Sequence, residues 1–226
     1  MEENDDKTMN YPIITKDYKA GAVILAAGDY PKNEIPLCIL NNAEYVCCCD
    51  NAAVTYIKNG NIPDVIVGDC DSLPKEFKEK YSDKLKVEVE QEFNDLTKAT
   101  RFCISKGYKD IVYIGATGKR EDHTLGNISL IVWYMQEFGI YPIMVTDYGY
   151  FVTAKGLNKF GSFKGQQVSI YNLDCKKING TGFDWPTYAY QWIWQGTLNQ
   201  ATGNEFELDA DGSYLVYRTF DAKDKL

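Results

Sequence analysis

The chain has 226 residues, enough for one large domain or two modest ones, and its 45% hydrophobic and 25% charged content is that of a globular protein. A net charge of -8, from 24 Lys and Arg against 32 Asp and Glu with no dense basic run, argues against a nucleic-acid partner. The Asp- and Glu-rich start lacks the pattern of a secretory signal, and the longest apolar runs are too short to span a bilayer, so a cytoplasmic protein without membrane contact is expected.

In chain order, residues 1–19 read as a polar N-terminal extension. Residues 22–27 are an apolar run ending at Gly28, which predicts a buried strand. Residues 45–49 predict a second strand, ending at Asp50. Its consecutive Cys47, Cys48 and Cys49 would alternate between faces, so they suit a buried apolar role in a reducing compartment better than joint ligation of one metal. A helix is predicted over 52–58, stopped by Asn59-Gly60. Residues 64–67 predict a strand ending in Gly68-Asp69, after which Ser72 caps a helix with Pro74 in its first turn. Residues 86–90 alternate as an edge strand does, 96–106 read as helix, and 111–114 as a strand ending at Gly115. Residues 124–138 form the longest predicted helix, closed by Gly139, and 142–145 the last strand of the series. Alternating strands and helices predict a Rossmann-like parallel sheet over residues 20–150.

Beyond residue 150 the helical period disappears. Runs at 151–154, 167–171, 190–194, 205–208 and 214–218, with turns at Asn179-Gly180 and Asp211-Gly212, predict an all-β sandwich over 155–226. The expected fold class is therefore α/β, a parallel-sheet N-terminal domain followed by a β-sandwich C-terminal domain. The rings of Trp185, Tyr188, Tyr190, Trp192 and Trp194 read mostly as sandwich core and interface, with an exposed one able to stack on a flat cationic heterocycle.

Asp50, Asp69 and Gly115 each follow a predicted strand, and Gln91 and Asp95 follow the 86–90 run in the same way. In an open parallel sheet such positions share the carboxyl-end rim, where ligands bind. Alone, Asp69 would be a turn residue and Asp71 a helix-capping group. With Asp50 and Asp95 on the same rim, Asp69, Asp71 and Asp95 become candidate ligands of a hard cation such as Mg²⁺, which offsets carboxylate repulsion and bridges to phosphate. Residues 115–123, Gly-Ala-Thr-Gly-Lys-Arg-Glu-Asp-His, form a glycine-bearing loop before a helix, where a phosphate can approach the backbone and Arg120 can grip it. Neither the P-loop spacing nor the dinucleotide fingerprint is present. The single histidine, His123, reads as a hydrogen-bonded structural group.

Together these segments resemble the thiamin pyrophosphokinase family. Asp50-Asn51-Ala52-Ala53 is similar to its Asp-Gly-Gly-Ala segment, residues 67–72 to its Gly-Asp-x-Asp-Ser motif, and residues 91–99 to Gln-Asp-x-Thr-Asp-x-x-Lys-Ala. Residues 115–127 resemble Gly-Ala-x-Gly-Gly-Arg-x-Asp-His-x-Leu-x-Asn, residues 182–185 Gly-Leu-x-Tyr/Trp, and residues 196–199 Gly-Thr-Ser-Asn. The resemblance implies a homodimer that converts thiamin and ATP to thiamin diphosphate and AMP with Mg²⁺. It implies a metal site of Asp69, Asp71 and Asp95, with Asp50, Asp71 and Asp95 as catalytic carboxylates. It implies ATP contacts at Asp50, Gln91, Lys98, Gly115, Thr117, Gly118, Arg120 and Asp122, and thiamin contacts at Trp185, Thr197 and Asn199 near the dimer interface. Asn51 and Ala52 stand where the family has glycines, Lys119 where it has a second loop glycine, Asn94 where it has Thr, and Leu198 where it has Ser. The same rim would serve pyrophosphoryl transfer to another alcohol, such as a hydroxymethyl pterin, or a protein that only binds a metal–nucleotide complex.

Overall fold

The computed structural model describes residues 8–223, so residues 1–7 of the expected polar extension lie outside the described part. The described chain divides into two compact units, Lys16–Asp147 and residues 8–15 with 148–223. No helix among the described residues is long and apolar enough to cross a membrane.

The first strand, β1 (Met9–Tyr11), belongs to the strand-rich unit. Part of the segment read as an extension is therefore strand, because Tyr11 buries its ring against Phe160, centroid to centroid 4.8 Å.

The unit Lys16–Asp147 contains β2 (Ala22–Leu25), α1 (Glu34–Asn41), β3 (Val46–Cys49), α2 (Ala52–Lys58), β4 (Val65–Gly68) and α3 (Lys75–Lys80). It continues with β5 (Leu85–Val87), α4 (Asp95–Ser105), β6 (Ile111–Ile114), α5 (Glu121–Phe138) and β7 (Ile143–Val145). The strands lie in the order β7-β6-β2-β3-β4-β5, and every pair is parallel. Every residue of β2, β3, β4 and β6 is buried, as strands covered on both faces must be. Strand order reverses at β2, which places the crevice of the sheet at the carboxyl ends of β2, β3 and β6.

Two local readings change in this unit. Helix α1 has no counterpart among the expected elements; Pro36 falls in its first turn, where a missing N–H is harmless, and the Asn33 side chain caps the helix through the Ile35 amide at 2.9 Å. Ser72 does not cap α3, whose N-cap position is Pro74; the Ser72 hydroxyl instead donates to the Asp50 carboxylate at 2.5 Å, a stronger acceptor than the competing options.

The strand-rich unit adds β8 (Gly149–Lys155), β9 (Asn158–Gly161), β10 (Gln166–Asn172), β11 (Ile178–Thr181), β12 (Asn199–Gln200), β13 (Glu205–Ala210) and β14 (Ser213–Ala222). Its strands run in two sets, β12-β10-β14-β8 and β1-β9-β13-β11, antiparallel except where β1 joins β9 in parallel. Phe160 stacks on Phe206 at 4.9 Å in the sandwich core, and the buried Arg218 guanidinium ties β1 to β9 by donating to the carbonyls of Tyr11 (3.2 Å) and Gly161 (2.6 Å). Asp211-Gly212 joins β13 to β14 as expected. Asn179-Gly180 is not a turn but lies inside β11, paired with β13. Residues 190–194 are not a strand; the Gln195 side chain accepts from the amides of Gln191 and Trp192, both at 2.9 Å, and winds Ile193–Gly196 into a 3-10 turn.

Candidate active site

Asp50 leaves β3 with φ 36, a left-handed conformation uncommon for any residue but glycine. Its Oδ2 accepts the Ser72 hydroxyl, while Oδ1 is buried without a hydrogen-bond partner among the described residues. At the end of β4, a Cβ on Gly68 would stand 3.0 Å from the Asp50 Cβ and 3.3 Å from Asp95 Oδ1, so the absence of a side chain is what lets these two carboxylates flank the strand end. Asp95 opens α4, whose cap is Asn94, accepting from the Thr97 amide at 3.0 Å. Asn and Thr both cap helices well, which accounts for Asn in a motif that carries Thr. Burial raises the Asp95 pKa; Lys98 opposes that rise, and the charges of Asp50 and Asp69 add to it. The Lys98 side chain is only 5% exposed, and its ammonium lies 3.7 Å from Asp95 Oδ1. Asp69 is held below the usual carboxylate range by the Asp71 amide at 3.0 Å and then by Gln91 Nε2 at 3.4 Å. Asp71 is exposed.

Asp50 and Asp95 border a cavity of about 360 Å³ with Gly28, Gly118, Lys119, Arg120, His123 and Asn127. Among the described residues no three acidic, Cys or His side chains form a ready cage for a cation. Mg²⁺ does not demand one, since it binds through one or two carboxylates, keeps several waters and completes its shell with phosphate oxygens. The unpartnered Oδ1 of Asp50, beside an Asp95 whose ionisation is already disfavoured, fits a hard cation.

The opposite wall is built from two loops joined backbone to backbone. Gly28 donates to the Gly115 carbonyl at 2.7 Å and Asp29 to the Thr117 carbonyl at 2.9 Å, and a Cβ on Gly28 would collide with both carbonyls. Asn127 fixes the same loop through the Ala116 carbonyl at 2.7 Å. Arg120, at the N-cap of α5, grips Asp122 with Nε at 3.1 Å and Nη2 at 2.6 Å, which pulls the Asp122 pKa to about 2.

Of the residues expected to contact ATP, Asp50, Gly118 and Arg120 thus line the cavity, Gly115 and Thr117 shape its loop, Asp122 pairs with Arg120, Gln91 with Asp69, and Lys98 with Asp95. Asp69 and Asp71 sit on the adjoining loop and do not line it. His123, read as structural, lines it, and so do Lys119, Asn94 and Asn127, which the sequence places in the motifs without a site role. Their signal was present: His123 and Asn127 stand four apart on α5 and share one helix face.

A second cavity, of about 340 Å³, lies in the strand-rich unit and brings together Trp185, Thr197 and Asn199 with Tyr188, Tyr190 and Leu198. Of these aromatics only Tyr190 is sandwich core; Trp185, Tyr188, Trp192 and Trp194 are 52%, 51%, 65% and 71% exposed, which leaves them to the interface or ligand-stacking role of the same reading. They belong to the irregular excursion between β11 and β12, where no ladder directs a face inward. The buried Asn199 amide brackets the Trp185 backbone, accepting from its N–H at 3.3 Å and donating to its carbonyl at 3.0 Å. The Thr197 hydroxyl is spent on the Trp194 carbonyl at 2.7 Å.

An open parallel sheet with a carboxylate-lined cavity at its rim, joined in one chain to a β-sandwich that presents exposed rings, defines a two-unit α/β-plus-β protein. The thiamin pyrophosphokinase catalytic domain matches residues 38–141, and the thiamin pyrophosphokinase substrate-binding domain matches residues 149–217. The chain belongs to the thiamin pyrophosphokinase family. It is 35% identical over 114 residues to the thiamine pyrophosphokinase of Bacillus subtilis (strain 168), covering 48% of this chain and 52% of that protein. It is 26% identical over 116 residues to thiamin pyrophosphokinase 1 of Caenorhabditis elegans, covering 47% and 46%. The chain thus spans about half the length of the curated relatives it matches. In fold it is similar to thiamin pyrophosphokinase from Candida albicans, with a TM-score of 0.78 over 95% of this chain and 93% of that one at 16% identity.

Proposed function

We propose that this chain transfers the pyrophosphoryl group of ATP to the hydroxyethyl oxygen of thiamin, giving thiamin diphosphate and AMP. The observation that carries the reading is the meeting of Asp50 and Asp95 around Gly68, at a cavity whose other wall is the loop of Gly118 and Arg120. Family membership of both units supports the choice of substrates.

Asp50 and Asp95, with Asp69 and Asp71 on the adjoining loop, would hold Mg²⁺, which supplies charge neutralisation and polarisation of the phosphoryl oxygens when bound. The residues of the chain do the rest. The 115–118 loop and Arg120 orient the phosphates; Lys98, buried against Asp95, keeps that carboxylate in place and compensates part of the local negative charge. The alcohol oxygen forms a bond to the β-phosphorus as the bond from that phosphorus to the α,β-bridging oxygen breaks, and AMP departs with that oxygen. Of the acid–base candidates Asp50, Asp71 and Asp95, only Asp50 and Asp95 line the cavity, so the alcohol proton is assigned to one of this pair. Positioning and fixed charge supply most of the acceleration. Trp185, exposed beside Thr197 and Asn199, stacks on the cationic ring system. A cytoplasmic homodimer completes the proposal.

The test is the full chain with ATP, MgCl₂ and thiamin, with AMP and thiamin diphosphate separated by chromatography. The two products should appear in equal amounts, and a hydroxymethyl pterin in place of thiamin should give none. AMP release with the pterin alone would move the chain to another alcohol; no AMP with either would leave only binding.

A further inference from the structure

We propose that Lys119 is a phosphate ligand of the rim cavity, holding a nucleoside polyphosphate whose phosphate chain passes between two adjoining hollows; this rests on the reading of that cavity as a nucleotide site. Lys119 follows Gly118 in the loop after β6 with φ 57, a conformation that glycine adopts freely and lysine does not. A residue kept in such a conformation is a pointer to use of its side chain.

Where that side chain lies indicates the use. Lys119 borders the 360 Å³ cavity of Asp50 and Asp95, and also a neighbouring cavity of about 230 Å³ bounded by Tyr30, Ala52 and Thr55. It therefore stands on the wall the two share. Its ammonium donates to the Ala27 carbonyl at 2.7 Å, an uncharged acceptor, and among the described residues no carboxylate lies within ion-pair distance of it. The other basic groups nearby have carboxylate partners that offset their charge: Arg120, which also lines the cavity, grips Asp122 through two nitrogens, and Lys98 is buried against Asp95 and does not line the cavity. Lys119 thus brings to the cavity a positive charge that is in no ion pair among the described residues. Three N–H donors with one spent on a carbonyl leave two for phosphate oxygens. A polyanion entering beside Asp50 and Asp95 meets repulsion there, and Lys119 offsets it.

Binding of ATP to the full chain, with Mg²⁺ and without thiamin, tests the proposal by calorimetry. Lys119→Gly removes the charge and the strain; Lys119→Asn removes the charge but tolerates the left-handed conformation without loosening the loop. Both should fold with a melting temperature no lower than that of the unaltered chain by more than a few degrees and bind ATP about tenfold more weakly, the size of one charge-assisted hydrogen bond, while adenosine binds as it does to the unaltered chain. Lys119→Arg should recover most of the loss. Unchanged ATP affinity in both charge-removing variants would overturn the proposal, and so would an equal loss for adenosine, which would make Lys119 a loop-shaping residue only. If the unaltered chain binds no ATP at all, the nucleotide reading of the cavity fails first.

Discussion

At the rim of the parallel sheet, residues 50, 68 and 118 meet because β3, β4 and β6 run in one direction and end on one edge, and Asp95 joins them at the start of α4. In the strand-rich unit, Trp185, Thr197 and Asn199 meet because one irregular excursion is held by side chains bonded to backbone: Gln195 to two amides, Asn199 to both polar groups of Trp185. The first arrangement is rigid by topology and strained by charge, with two carboxylates around a glycine. The second is almost uncharged, and its strength lies in a few specific hydrogen bonds. The two share one feature. Among the described residues, the non-glycine residues with positive φ are Asp50, Cys70, Lys119 and Leu198, each inside a segment expected to be functional. Strain of about 1–3 kcal/mol at such positions persists only where the surroundings over-determine it.

If the rim is built for charge, Asp95→Asn should have the largest effect. Turnover should fall by roughly 10² to 10³, as for loss of a group that acts on transition-state charge. Stability should move the other way. The folded-state pKa of Asp95 is raised, so its ionised form is disfavoured in the native protein. That penalty is absent where the carboxyl is protonated in both states, below its ordinary value of 3.8, and is complete once pH exceeds the raised native value. In metal-free buffer near neutrality the variant should melt slightly higher, a gain kept small because water screens the 37% exposed side chain, and the gap should close as pH falls toward the ordinary value. Turnover within threefold of the unaltered chain, or a lower melting temperature at neutral pH, would contradict this account of the rim.

The aromatic cavity should answer to a different substitution. Trp185→Ala removes one exposed ring and leaves the sandwich core untouched, so the thiamin KM should rise about tenfold with the ATP KM unchanged, in line with one ring-stacking contact to a cation. Equal increases in both constants would make Trp185 structural and erase the functional contrast between the two regions.

The same contrast explains what could be read from the sequence. Strands β2, β3, β4 and β6 are short, unbroken apolar runs ending in Gly or Asp, and a parallel sheet needs such runs, so Asp50, Asp69 and Gly115 could be placed on one rim before any coordinates. The dense rings of 185–194 carry the composition of a core strand, and nothing in that composition says that Gln195 would turn the backbone away from the ladder. Asn179-Gly180 has the residues of a hairpin turn, but Gly180 is there because the Phe183 ring would stand 2.8 Å from a Cβ. Arg120, Lys119 and Asn94 were visible as residues, whereas the ion pair to Asp122, the left-handed φ and the capping bond depend on geometry that spacing alone does not express.

The smallest predicted effect bears on whether the shared strain has one meaning. Leu198 sits between Thr197 and Asn199 at φ 63, its side chain 64% exposed on the aromatic cavity. Leu198→Gly removes a left-handed penalty of about 1–2 kcal/mol but adds about 0.5–1 kcal/mol of unfolded-chain entropy, so the melting temperature should rise by no more than about 6 °C. It also removes an apolar surface beside Trp185, and a partly covered contact of that kind is worth about 0.5 kcal/mol, which raises the thiamin KM roughly twofold to threefold. That outcome would mean that Leu198 is held in its conformation for contact with the ligand, as Lys119 is proposed to be at the rim. A higher melting temperature with the thiamin KM unchanged would mean that strain in the aromatic region is incidental to the path of the chain, and that only the carboxylate rim couples left-handed backbone to chemistry.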